Sequence, residues 1–439
     1  MKAALTAVTQ RGLWYVLGSV VGRGLTALSM FLLARWAAPE ALGAFFAALS
    51  IQQLLVLVST LGQDTWLLRT VAGLPLDEAH HAFRSARRLV LVGSLLLGGM
   101  GLCLLLGLSF RPFEAETPLP ESWQAPMLLL VLSLPFYGLH RLQSMTLLGR
   151  EETRAALWIR QLVQPLAFLG GVALLGWSGI SRSGLSLAGA YAGAGVLAAL
   201  AGAYHGRQLS RMQGTKLERP LTSLRQQLAH GGGLLGAGLL GHLLLWSDGL
   251  LVGLFCAPAE VGRYGVVSRV ALLGVLLLDA FNSALGPAVR RLRAQPDAIW
   301  RLYLRTAGTG LLLFLPVVVC GLVWPSTLLG LLGEGYVTET SAYALRLLLL
   351  GQAVNVATGG SGLMLVMLER ADLHLRNNLW AVLSLAVGWT WLLSQGEVKL
   401  SAVAGLVAGV LAALNLVRSV QVYTILQTLK AKGSPEHLG

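Results

Sequence analysis

Apolar residues along this chain come in runs of about 20, each closed by a short polar or basic segment. That length crosses the hydrocarbon of a bilayer as a helix. Twelve such runs can be marked. They cover 13–33, 41–63, 89–109, 125–147, 156–177 and 185–203 in the first half, then 231–255, 263–285, 306–325, 343–368, 379–394 and 401–426 in the second. The pattern predicts an all-α polytopic membrane protein of about 12 transmembrane helices. Twelve is even, so both termini are expected on one side.

The pattern also repeats. "APEALGAFFAAL" (38–49) and "APAEVGRYGVVS" (257–268) share Ala-Pro, an acidic residue, a glycine and an aromatic two positions on. Pro39 and Pro258 are 219 positions apart, as are Gly43 and Gly262, and Phe45 and Tyr264. "LLGREET" (147–153) recurs as "MLERADL" (367–373) at an offset of 220. Each half thus holds six spans in the same order, and two halves of even span number share an orientation. The expected architecture is an N-terminal six-helix lobe over 1–210, a basic linker over 211–228 and a C-terminal six-helix lobe over 229–439, related by a parallel repeat. Two lobes around a cleft are a transporter arrangement. The plainer alternative is an old duplication without a working cleft.

Ionisable groups in hydrocarbon usually face a cavity or a partner. Runs one, four and five contain Arg23, Arg141 and Arg160, and the spans of the first half contain no acid. These arginines are therefore expected to lack carboxylate partners within their lobe. Ser133, Tyr137, His140 with Arg141, and Ser144 follow helical spacing along span four. Span two adds Gln52 and Gln53, and span five adds Gln161 and Gln164. The guanidinium fork suits phosphate oxygens, and Tyr, His and Gln suit sugar hydroxyls. Arg23, Arg141, Arg160, Gln52, Tyr137, His140 and Gln164 are the candidate substrate-binding residues; snorkelling or a bond to helix carbonyls is the plainer reading of each arginine. In the second half Asp248 is the candidate for a coupling H⁺ or Na⁺, against a structural pairing with an arginine. Pro135, Pro165 and Pro316 are expected kinks.

Composition agrees with a membrane protein: 55% of residues are hydrophobic and 12% charged. The net charge of +13 would suggest nucleic acid in a soluble chain, but its location gives another reading. Twenty-two Lys and Arg fall on the terminal segments and the loops after even-numbered spans, and only Arg35, Arg111, Arg182 and Lys399 on the opposite loops. Positive loops stay cytoplasmic, so both termini are expected inside. Membrane lipids are expected partners and nucleic acid is not. Cys103, Cys256 and Cys320 have no metal or disulfide spacing. No metal, and no cofactor beyond an ion gradient, is expected, and the outer loops are too short for a catalytic domain.

The stretches "LLARWAAPEALGAFFAALS" and "STLGQDTWLLRTVA" resemble the opening of bacterial polysaccharide and O-antigen flippases. These form the oligosaccharide flippase family of the multidrug/oligosaccharidyl-lipid/polysaccharide exporter (MOP) superfamily. Arg35, Pro39, Glu40, Gly43 and Phe45 match the family pattern, as do Leu61, Gly62 and Arg69. The resemblance implies a MATE-like fold in the bacterial inner membrane and no enzymatic activity. It also implies translocation of undecaprenyl-diphosphate-linked oligosaccharide by alternating access, serving lipopolysaccharide synthesis beside a polysaccharide polymerase machinery. A multidrug/cation antiporter of the same fold is the alternative, and would favour acidic residues. A membrane polymerase or glycosyltransferase would need a larger or more acidic outer loop.

The charge distribution makes one prediction. Single cysteines at Ser210 and Gln295 should resist membrane-impermeant thiol reagents in intact cells and react in inverted vesicles. Labelling of either from outside would overturn the twelve-span arrangement.

Overall fold

Proline marks where many helices begin. Its missing N–H costs nothing in a first turn, where that donor has no intrahelical partner. In the structure, a computed structural model, Pro39 opens α2 and Pro258 opens α11, at the repeat spacing seen in the sequence. Residues 2–72, 74–109, 121–210, 224–292, 295–396 and 398–432 are described.

Among the described residues the chain is helical with no strand. The first half runs α1 (Lys2–Trp36), α2 (Pro39–Ser59), α3 (Gln63–Thr70), α4 (Leu76–Ser109), α5 (Glu121–Leu132), α6 (Leu134–Gly149) and α7 (Thr153–Leu157). A π-helical segment, Trp158–Val163, then leads into α8 (Gln164–Trp177) and α9 (Gly184–Ser210). The second half runs α10 (Leu224–Phe255), α11 (Pro258–Ala271), α12 (Leu273–Arg291), α13 (Pro296–Val323) and α14 (Pro325–Gly330). After a single 3₁₀ turn come α15 (Glu339–Ala357), α16 (Ser361–Met367), α17 (Ala371–Ser394) and α18 (Leu400–Lys432).

Each of the twelve apolar runs falls on a helix or an interrupted helix. By length and composition, nine stretches among the described residues could cross a membrane, or ten if α5 and α6 count as one bent crossing. The helices α1 and α17 are not among them; the first turns of α17 carry His374, Arg376, Asn377 and Asn378. The expected count of twelve is therefore not reached on this measure.

The predicted span four is broken. Helices α5 and α6 meet at Ser133 with a 42° bend. Pro135 cannot donate to the turn before it, and the Ser133 hydroxyl donates to the Leu130 carbonyl at 2.6 Å. A proline and a side chain bonded into the backbone ladder are recognised causes of a kink. Pro165 follows the π-helical segment, whose wider turn lies inside predicted span five. Pro316 lies within α13.

The chain forms two compact units, one of Met1–His242 with Gly249–Gly262, the other of Leu243–Asp248 with Arg263–Gly439. The division passes through α10 and α11; most of the expected linker, 211–223, lies outside the described residues. In the first unit α2 is the central helix: Leu42 to Ser50 are continuously buried. It packs against α4, α5, α6 and α9. In the second unit α15 packs along α18, and Tyr303, Met364 and Val422 belong to one buried apolar cluster.

The repeated motifs touch within the first unit. A Cβ on Gly43 would run into the carbonyl oxygen of Pro258, and one on Gly262 into that of Pro39. The contact is reciprocal, backbone on backbone, and only glycine permits it. The corresponding helix ends also match: Glu151 after α6 and Glu369 after α16 both take the left-handed conformation, each at φ 62°.

This contact predicts that Gly43→Ala and Gly262→Ala each lose stability by about 1–3 kcal/mol, as overpacking does. Gly24→Ala, whose added methyl meets nothing within 4 Å, is the control. Thermal unfolding of the purified variants in lipid nanodiscs gives the comparison; equal midpoints for Gly43→Ala and Gly24→Ala would refute the contact.

Candidate functional site

The break at Ser133 does more than bend a helix. It exposes hydrogen-bonding groups inside the first unit, and neighbouring helices supply partners. Gln52 of α2 donates to Ser133 Oγ at 2.9 Å. Gln53 donates to Gln52 Oε1 at 3.3 Å and to the Tyr191 hydroxyl at 3.1 Å. Gln164, at the start of α8, reaches the same hydroxyl at 3.3 Å. Tyr137 of α6 donates to the Tyr191 carbonyl at 2.8 Å, and the two rings stack at 5.2 Å between centroids. Phe45 and Phe168 pack round Tyr191 on its other sides.

Three predicted residues, Gln52, Tyr137 and Gln164, thus join one network whose hub is Tyr191 of α9. Gln52 is 0% and Tyr137 5% exposed, with their polar groups engaged inside the unit, while Gln164 is half-buried. Tyr191 was not singled out from the sequence. Its run, "LSLAGAYAGAGVLAAL", is rich in small residues, and a lone tyrosine among them was the available signal.

The cationic residues lie further along α6 and on its neighbours. His140 is buried, 6% exposed. Arg141 is not without a carboxylate, contrary to the expectation from the sequence. Its Nε donates to Asp64 Oδ2 at 2.6 Å, and the Asp64 side chain is only 2% exposed. Asp64 lies one residue past the predicted end of span two. Leu61 and Gly62 turn left-handed there, at φ 50° and 71°, and the chain re-enters as α3, which packs against α6. Gly62 has a second reason to be glycine: a Cβ would strike the Gly231 carbonyl of α10.

Arg160 projects from the π-helical segment and is exposed; its Nη1 lies 3.8 Å from the Met145 sulfur. Arg23 is half-buried on α1. The two residues flank one seam. A Cβ on Gly22 would run into the Gln161 carbonyl, so α1 and the π-helical segment touch through their backbones. Arg23 and Arg160 each stand one residue from that contact.

Among the motif residues, Arg35 and Arg69 are exposed, while Pro39 and Gly43 form the helix start already described. Asp248 belongs to the second unit, where its Oδ2 accepts from the Tyr264 hydroxyl at 2.9 Å. Arg269, in the same unit, lies over the Trp246 ring at 5.4 Å. Arg346 donates to the Leu322 carbonyl at 3.0 Å.

A model of the polysaccharide biosynthesis protein family matches residues 8–293. No curated protein matches the chain. Among solved structures, a multidrug resistance MATE family transporter of the MOP superfamily in its inward-facing conformation aligns at a TM-score of 0.71 and 15% identity, over 93% of this chain and 96% of that one. The lipid II flippase MurJ, inward closed, aligns at 0.71 and 14%, over 96% and 90%. A MOP superfamily transporter from Pyrococcus furiosus aligns at 0.61 and 14%, over 96% of each chain. The fold is therefore that of the MOP superfamily, carried by a multi-pass set of apolar helices. The chain belongs to the polysaccharide biosynthesis protein family.

The Arg141–Asp64 pair generates a test. Arg141→Gln leaves a buried carboxylate uncompensated and should lose on the order of 3 kcal/mol. Asp64→Asn combined with Arg141→Gln should recover most of that loss. A double variant no more stable in nanodiscs than Arg141→Gln would show that charge pairing is not what Asp64 requires.

Proposed function

We propose that this protein is a flippase moving oligosaccharide repeat units, linked to undecaprenyl diphosphate, from the inner to the outer leaflet of the bacterial cytoplasmic membrane by alternating access. The observation that carries the reading is the seam between α1 and the π-helical segment, where Arg23 and Arg160 each stand one residue from the backbone contact between Gly22 and Gln161. Membership of a polysaccharide biosynthesis family supports the substrate class, and a fold shared with a lipid II flippase supports the reaction.

In this reading the two guanidinium groups receive the diphosphate. Each charge-assisted hydrogen bond contributes about 1.5–3 kcal/mol once water is excluded. Gln53 and Gln164, half-buried at the edge of the Tyr191 network, offer amides to sugar hydroxyls. Arg141 serves the unit by neutralising Asp64. Asp248, hydrogen-bonded by Tyr264, is the candidate carrier of a coupling H⁺ or Na⁺. Both termini are cytoplasmic, and a polysaccharide polymerase machinery takes the product. A multidrug/cation antiporter shares the fold, but the one buried acid described near this seam's unit, Asp64, is already matched by Arg141.

Arg23→Gln should abolish most export at matched membrane levels, and Arg23→Lys should retain part of it, because charge survives while the two-pronged geometry is lost. Surface polysaccharide in a strain lacking the native gene is the readout. Full export by Arg23→Gln would show that the charge is not needed. In the same assay, gradient dependence that survives Asp248→Asn would remove Asp248 from coupling.

A further inference from the structure

A second arginine-centred site lies in the other unit. Arg418 stands midway along α18 and is 7% exposed. Its guanidinium is held by neutral amides: Nη1 donates to Asn415 Oδ1 at 3.4 Å and Nη2 to Asn378 Oδ1. Those amides are committed in turn. Asn415 donates to Asn355 Oδ1 at 2.9 Å, and Asn378 Nδ2 faces His374 Nε2 at 3.3 Å. Among the described residues no carboxylate pairs with Arg418. At this point in the unit, Arg418 Nε and His374 Nδ1 are both buried with no hydrogen-bond partner among the described residues. The two side chains converge over Gly362, where a Cβ would lie 3.2 Å from His374 Nδ1 and 3.4 Å from Arg418 Nη1.

A guanidinium in a low-dielectric interior is strongly disfavoured unless a negative charge answers it, and arginine does not escape by losing its proton. Amide oxygens orient the group but supply no net charge. Unpartnered buried nitrogens beside it are where an ion would sit.

We propose that the C-terminal unit binds one small monovalent anion, of chloride size, between Arg418 and His374. One guanidinium carries one positive charge, so a monovalent anion balances it, whereas a multiply charged phosphate would leave buried negative charge in excess. The Arg418 Nε–H and a ring N–H of His374 are its donors. The site shares no residue with the Arg23–Arg160 seam and does not depend on the flippase reading.

The test is thermal unfolding of the full-length protein in nanodiscs of neutral lipid, with sodium chloride or bromide exchanged against sodium gluconate at constant ionic strength. The wild-type midpoint should rise by about 2 °C for each tenfold increase in chloride beyond saturation, as binding to the folded state requires. Bromide should act alike, and the dependence should vanish in Arg418→Gln and weaken in His374→Ala. If Arg418→Gln cannot be purified, equilibrium binding of radiolabelled chloride decides: wild type should bind one ion per chain at this site, and His374→Ala several-fold more weakly. A midpoint indifferent to chloride, a dependence retained in Arg418→Gln, or binding unchanged in His374→Ala overturns the proposal.

Discussion

A polar group held away from water must find its partner inside the protein, and much of this structure follows from that requirement. Where α5 gives way to α6, the ladder loses a donor at Pro135, and Ser133, Gln52 and Gln53 take up the slack through bonds that end at Tyr191. Where α2 ends, the chain does not leave the helical layer but returns as α3, bringing Asp64 under Arg141. In both places an irregularity in one helix is matched by side chains from helices far away in sequence. That mutual dependence ties α2, α5, α6 and α9 into one body, with the Phe45, Phe168, Tyr137 and Tyr191 rings filling the space between.

Close backbone approach is the second device. Gly43 and Gly262 let the starts of two related helices touch, and Gly22 lets α1 meet the π-helical segment. Apolar side chains gain little from leaving lipid for a protein surface that is equally apolar, so membrane helices associate through packing and hydrogen bonds instead. Glycine at these points brings main chains together and leaves the adjacent residues, Arg23 among them, to be placed by the seam.

The two units handle buried positive charge differently. In the first, Arg141 has a carboxylate, and Arg160 is exposed. In the second, Arg418 is enclosed by asparagines. The two halves of the chain share sequence motifs and carry the left-handed residues Glu151 and Glu369 at corresponding helix ends. The polar residues inside the two units differ, so a function assigned to one cannot be copied to the other by position.

Helix positions and the prolines that open α2 and α11 could be read from the chain, because run length and a missing N–H are local properties. Arg23, Arg141 and Arg160 stood out for the same reason, as ionisable residues inside apolar runs. Arg418 carries the same signal, within the run 401–426. The partner of Arg141 was not legible: Asp64 lies 77 positions away and just outside an apolar run, so only the left-handed turn at Leu61 and Gly62 brings it back. Nor could helical spacing tell that Gln52 and Tyr137 face other helices, since a polar stripe looks the same whether it meets a cavity or a neighbour. Sequence by itself determined which segments are helices and which polar residues they carry into the membrane. Tertiary structure alone decided which of those residues satisfy one another, because hydrogen bonds and ion pairs at that depth form between helices whose neighbours are set by packing and not by order along the chain.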